Sequence, residues 1–215
     1  MAIKEKDFVE IEYTGKLKDE DLVFDTTDEK LSKEAGIYNE NTAYGPVVVC
    51  IGEGQLLKGL DDGILGKEAG KEYTVDIQPE DGFGKKKADL IHLIGTSKFK
   101  KEGINPAPGM QVNVDGALGI IKTVTGGRTL VDFNHPLSSK ELVYTFKVNK
   151  IVEDDLEKAS AYLKVQTGAK DVTATLENNE LKVKIQGDIP EEFKEKMNEK
   201  LTGIIPTIKK VTFSK

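Results

Sequence analysis

The stretch GEGQLLKGLDDGILGKEAG, residues 52–70, decides how this chain folds. It follows a short apolar run, Val47 to Ile51, and precedes a second, Tyr73 to Ile77. Between them Leu56, Leu57, Leu60 and Ile64 recur at helical spacing. The spacing predicts a short helix laid across a sheet, with its lysine and acids in water. That spacing alone implies burial in any fold, so the chemistry has to be read from residues further away.

Outward from this stretch, residues 7–17 read as a strand in which Glu10 and Glu12 alternate with apolar groups. A second strand ends near Phe24. From Thr26 to Gly45 the pattern dissolves into a long flap with a helical turn at 28–35 and turn residues at Gly36 and Asn39–Asn41, tethered by Tyr38 and Tyr44. Val47–Ile51 is nearly all apolar and is expected at the centre of the sheet. After Pro79 comes a turn-rich junction, Glu80-Asp81-Gly82-Phe83-Gly84. Residues 85–134 then change texture. Strands are expected at Leu90–Ile94, Met110–Val114, Gly119–Val124 and Thr129–Phe133, with a loop at Thr96–Gly109 and a tight hairpin at Gly126-Gly127. Asn134-His135-Pro136-Leu137 forms a second junction. Strand character resumes over Glu141–Val152, with Leu142, Tyr144, Phe146 and Val148 on one face. The simplest topology inserts the small β-domain between two strands of the first domain, which brings both junctions together in space.

Beyond the acidic seam at 153–157 the chain restarts. Strands are expected at Ala161–Val165, Val172–Leu176 and Leu181–Ile185. A helix opens at Pro190, carries Phe193, Met197 and Leu201 on one stripe, and stops at Gly203, before a last strand at Ile208–Phe213. The fold class is α+β. An antiparallel sheet wraps a short helix in 1–84 plus 135–153, a small β-domain is inserted at 85–134, and a β-β-β-α-β domain occupies 154–215. A domain of that last size is marginal alone, which points to docking or homodimerisation through it.

Bulk properties narrow the function. Net charge is −6 over 215 residues, and the lysine runs at 85–87 and 209–210 are too short to track a phosphate backbone, so no nucleic acid partner is expected. Abundant Lys and Glu with no Trp suit a heat-adapted source. Cys50 is the single cysteine, which forbids an intrachain disulfide, and its apolar neighbours make it a quiet core thiol. His92 and His135 are the only histidines; two isolated ligands make no metal site. The amino terminus lacks the apolar segment of a signal peptide, and no stretch approaches the roughly 20 apolar residues that span a bilayer, so a cytoplasmic, membrane-free protein is expected. No P-loop, GxSxG, CxxC or HExxH is present.

Tyr13-Thr14-Gly15, Val23-Phe24-Asp25-Thr26 and the run from Gly52 to Gly63, in that order, resemble the FKBP-type peptidyl-prolyl cis-trans isomerases. Pro79–Gly84 and Asn134–Leu137 resemble the SlyD-like and long archaeal members that carry an inserted chaperone domain. The resemblance covers 1–152, and the carboxy-terminal piece is similar to the extra domain of the long archaeal forms. It implies a prolyl-peptide pocket built from Tyr13, Phe24, Asp25, Val47, Leu56, Leu57, Leu60, Phe83 and Tyr144. Leu60 stands where the family usually has a tryptophan floor, which implies weak macrolide binding. Phe83 stands for a common tyrosine and lacks its ligand-bonding hydroxyl. Asp25 is expected to orient Tyr13 or to favour a twisted amide electrostatically. No cofactor or metal is implied. The insert implies polypeptide binding through Leu90, Ile91, Leu93, Ile94, Phe99, Ile104 and Met110, some of which must build its own core. The implied partners are unfolded or nascent chains with X-Pro bonds. The competing reading is a non-catalytic holdase, supported by Leu60 and the long flap.

Overall fold

In the computed structural model, which describes residues 2–168, 172–185 and 189–214, the chain opens with strands β1 (Phe8–Leu17) and β2 (Val23–Thr26), helix α1 (Glu29–Glu34), strand β3 (Val47–Cys50), helix α2 (Lys58–Ile64) and strand β4 (Glu72–Ile77). Next come β5 (Ile91–Gly95), α3 (Thr96–Lys101), β6 (Gln111–Val114), β7 (Ala117–Thr125) and β8 (Arg128–Asp132). The chain ends with β9 (Leu142–Ile151), α4 (Asp155–Thr167), β10 (Thr173–Glu177), β11 (Glu180–Lys184), α5 (Glu191–Ile204) and β12 (Lys210–Ser214). The fold is mixed α+β, with antiparallel sheets, a small β-rich insertion and a carboxy-terminal β/α segment. Two units form: residues 1–77 with 142–215, and residues 78–141.

In the first unit β1 is the axis. β9 runs antiparallel along it from Val9↔Ile151 to Leu17↔Leu142, and β4 pairs the far side of β9. Alternation puts Leu142, Tyr144, Phe146 and Val148 on the buried face, as their spacing predicts. Helix α2 lies against β4 because two glycines face it. A Cβ on Gly59 would sit 2.5 Å from Ile77 Cγ2, and one on Gly63 would sit 3.1 Å from Val75 Cγ2. Leu60 and Ile64 are thereby buried.

β3 and β2 share one edge of β1, β3 pairing Phe8–Ile11 and β2 pairing Thr14–Lys16. β3 therefore borders the sheet; it is not the central strand that its apolar run suggests. It is apolar because both its faces are covered. Val49 is buried on one side. On the other, Val48 and Cys50 join a core built from Phe8, Val152, Tyr162, Leu163, Leu181, Met197 and Leu201. The carboxy-terminal segment thus shares its core with β1 and β3.

The strand expected at 161–165 is the second half of α4. Asp154 caps that helix, its Oδ1 accepting from Glu157 N at 2.7 Å, and Ala159, Tyr162 and Leu163 fall on its buried side. The segment order is α-β-β-α-β. The hairpin joining β10 and β11 turns through Asn178 and Asn179, both left-handed at φ 50° and 65°. β12 returns parallel to β11 after α5 crosses over. Gly203 does not stop α5, which continues to Ile204.

In the second unit the strand order is β5-β8-β7-β6, with β7 and β8 joined through Gly126 and Gly127, both at positive φ. The loop expected at 96–109 contains α3, which drives Phe99 to 1% exposure at the centre of a core with Val112, Ile121 and Val131. The chain enters and leaves this unit side by side. Ser139 N donates to Gly84 O at 2.8 Å, Lys86 N to Ser139 Oγ at 2.8 Å and Lys87 N to Asn134 Oδ1 at 2.8 Å.

Candidate active site

A row of residues crosses three strands of the first sheet: Asp25 on β2, Gly15 on β1 and Tyr144 on β9. Next to Gly15 the β2 register jumps from Asp25 to Val23, leaving Phe24 as an extra residue. Such a bulge re-aims a side chain. Here it brings the Phe24 ring edge-on to Tyr144 (centroids 5.8 Å apart) although its neighbour Asp25 also reaches Tyr144. Gly15 makes the room. A Cβ there would lie 2.7 Å from Tyr144 Cζ and 3.0 Å from Phe24 Cζ. Tyr13, two residues earlier on the same face, tilts against Tyr144 at 5.8 Å.

The Tyr144 hydroxyl donates to Asp25 Oδ2 at 3.2 Å, and the Tyr13 hydroxyl bonds the same carboxylate. Burial is the first cause of every shift here. It raises Asp25 above the usual carboxylate range, against the lowering effect of bonds from Tyr144, the Thr26 amide and Tyr13. Burial, then the charge of Asp25, pushes Tyr13 up to about 12 and drives Tyr144 above the ordinary phenol range. Both phenols stay protonated at neutral pH and donate to the one carboxylate. The result is an aromatic wall with a single, internally satisfied acid. It presents no activated nucleophile.

Flap and wall are connected through Tyr13. Thr27 N donates to Tyr13 O at 3.0 Å, Tyr13 N to Thr27 Oγ1 at 3.0 Å, and Gly45 N to Thr27 O at 2.8 Å. The expected tether is a stack of Tyr38 on Tyr44 (5.4 Å, 13°), with Asn39 N donating to the Tyr44 hydroxyl.

Of the other residues expected in the pocket, Val47 pairs Ile11, on the same face of β1 as Tyr13 and Gly15. Leu60 is buried on α2, while Leu56 and Leu57 are half-buried at its start. Phe83 belongs to the second unit, where its ring stacks on His135 (4.4 Å, 5°) and its carbonyl accepts from Ser138 Oγ. His135 also accepts from Leu137 N through Nδ1, so it braces the second junction. His92, on β5, contacts Asp89 O at 2.8 Å. A cleft of about 520 Å³ beside Tyr13 is lined by Glu12, Thr14, Glu72, Thr145 and Lys147. These alternate away from the Gly15 row and keep that cleft wet.

In the second unit Leu90, Ile91, Leu93 and Met110 are exposed, Leu93 to 56%. Ile94 and Ile104 pack partly on the core, and Phe99 is its centre. The sequence reading missed Leu118, the most exposed large apolar residue described here at 63%. Its signal is Gly119, which packs tightly on Val131 and Phe133 and turns its neighbour to the opposite face. Among the described residues no group of three or more His, Cys, Asp or Glu is placed to hold a metal ion, and no helix is long and apolar enough to cross a membrane.

Comparison with known proteins gives two family matches. Residues 1–100 match the FKBP-type peptidyl-prolyl cis-trans isomerases, and residues 92–137 match the IF domain of FKBP26. The chain is 36% identical over 149 residues to a short-type peptidyl-prolyl cis-trans isomerase of Methanocaldococcus jannaschii, covering 69% of this chain and 94% of that protein. It is 30% identical over 111 residues to an FKBP-type 16 kDa peptidyl-prolyl cis-trans isomerase of Escherichia coli (49% and 74% covered). It is 28% identical over 131 residues to the isomerase SlyD of Haemophilus influenzae (59% and 68%). On this evidence the chain belongs to the FKBP-type peptidyl-prolyl cis-trans isomerases and carries a SlyD-like inserted IF domain.

Proposed function

We propose that this protein catalyses cis-trans isomerisation of X-Pro bonds in unfolded or partly folded polypeptides, and that its insert holds those chains as a chaperone. The observation that carries the reading is the aromatic wall of Tyr13, Phe24 and Tyr144 around Asp25, closed onto Gly15. Amide rotation is slow because the C–N bond is partly double, with a barrier of about 18–20 kcal/mol. Prolyl bonds populate both isomers and exchange over roughly tens to hundreds of seconds. The twisted transition state loses conjugation and its carbonyl becomes less polar. A water-poor hollow that grips the proline ring disfavours the planar amide more than the twisted one. Each tenfold in rate needs about 1.4 kcal/mol of such preference. Val47, Leu56, Leu57 and Leu60 complete the pocket in this reading, and Asp25 orients Tyr13. Leu60 in place of a tryptophan leaves macrolide binding weak.

The working division is three-part: 1–84 with 135–153 for catalysis, 85–134 for chain holding and 154–215 as an added segment of the long archaeal type, a candidate dimerisation surface in a cytoplasmic protein. Exposed Leu90, Ile91, Leu93, Met110 and Leu118 support chain holding. They also favour the second reading, a holdase without turnover. A tetrapeptide isomerisation assay run beside proline-limited protein refolding separates the two. Turnover of both substrates is expected, with Asp25→Leu slowing it; a chain that suppresses aggregation yet leaves tetrapeptide exchange at its uncatalysed rate would establish the holdase reading instead.

A further inference from the structure

The loop between β3 and α2 is anchored from the carboxy-terminal segment. Glu53 lies in that loop with its side chain only 11% exposed. Its Oε2 accepts from Lys200 Nζ on α5 at 2.9 Å and from the Tyr162 hydroxyl on α4 at 3.5 Å. The residues on either side, Gly52 and Gly54, both sit in left-handed backbone at φ 85° and 66°. Glycines have many alternatives to that conformation, so the order of the loop comes from its ties to neighbouring chain: in the backbone, Lys6 N donates to Ile51 O at 2.9 Å, Ile51 N to Asp7 O at 3.0 Å and Glu53 N to Cys50 O at 3.4 Å. Two side-chain ties are local: Gly52 N donates to Asp61 Oδ2 at 2.9 Å, and Cys50 N to Gln55 Oε1 at 2.7 Å. The third is Glu53. Beyond it the chain reaches Leu56 and Leu57, the latter capping α2.

We infer that Lys200 and Tyr162 are positioning residues for the isomerase site: through Glu53 they fix the 50–57 loop that presents Leu56 and Leu57. The inference rests on the pocket assignment made under Proposed function. A mostly buried carboxylate that loses its cation turns toward water, and the flanking glycines offer no resistance. The loop then has to be reordered each time substrate binds.

The test uses the full-length protein with Lys200→Met, Lys200→Arg and Tyr162→Phe, read by tetrapeptide isomerisation and by hydrogen exchange of the amides of Gly52 and Glu53, which donate to Asp61 Oδ2 and Cys50 O. Lys200→Met should speed exchange at those amides selectively and lower kcat/KM about two- to fivefold, as loss of a half-exposed ion pair implies. KM should carry most of the change, and Lys200→Arg should restore both readouts. Tyr162→Phe should act in the same direction, more weakly. Unchanged exchange at Gly52 and Glu53 in Lys200→Met, or faster exchange spread evenly over 1–77 and 142–215, overturns the inference. A wild-type chain without turnover removes the isomerase reading, while the exchange pattern still decides the anchoring.

Discussion

Gly15→Ala is the sharpest probe of the aromatic wall. The new methyl would lie 2.7 Å from Tyr144 Cζ and 2.8 Å from its Cε1, where ordinary contact begins near 3.4 Å. The ring must therefore move by about 0.7 Å. It cannot do so freely, because Tyr144 is buried, packed on two other rings and bonded to Asp25. Overpacking of this kind costs about 1–3 kcal/mol. The backbone gains roughly 0.5–1 kcal/mol from replacing a strand glycine, leaving a net loss of about 0–2.5 kcal/mol, centred at about 1 kcal/mol. For a unit of about 150 residues the central value lowers Tm by about 2–4 °C. The effect on catalysis should be larger in proportion, since an error of about 1 Å in a site can cost on the order of a hundredfold. A drop of about tenfold in kcat/KM on a tetrapeptide is expected at a temperature where the variant is fully folded. If Gly15→Ala matched the wild type in both melting and turnover, neither the close packing of Tyr144 nor its place in the site would stand.

Other consequences follow from the same geometry. Folding raises the Asp25 pKa above 3.8, so the folded state holds that proton more tightly than the unfolded chain. The contribution of Asp25 to stability is therefore greatest at acid pH and is lost as pH rises through the folded value; Asp25→Asn should flatten this slope, and urea midpoints that stay parallel from about pH 3 to pH 7 would contradict it. Three of the six tyrosines, Tyr13, Tyr144 and Tyr162, should ionise late in a spectrophotometric titration, Tyr13 at about 12. Burial pushes the Cys50 thiol up to about 12, so a thiol reagent at mild pH should label it only as fast as the protein opens; immediate labelling would place it at the surface instead.

Much of the fold is legible in the residues. The long alternations of β1 and β9 state their own faces, and paired glycines or asparagines mark two hairpins. The misreadings have physical causes. Ala161–Val165 has apolar residues that suit a strand or a helix, and the deciding signal lay upstream, in Asp154 capping toward Glu157. β3 looked central because burial by a helix and burial by neighbouring strands select the same valines. The loop at 96–109 hid α3 because six residues carry little periodicity, although Phe99 alone anchors them. In the site, Tyr13, Asp25 and Tyr144 could be named from motifs, but the bulge at Phe24 could not. It depends on a register between strands that no local pattern encodes.

The pairing of Ile77 with Leu142 means that two adjoining strands of the host sheet are separated by about sixty residues of excursion. Bringing such distant ends together carries an entropic toll that grows with the free length between them. An excursion that has already folded, with Gly84 and Ser139 one hydrogen bond apart, shortens that length to a few links. An insert that folds first would thus act as a clasp on its host, and its early collapse should hasten closure of the host sheet.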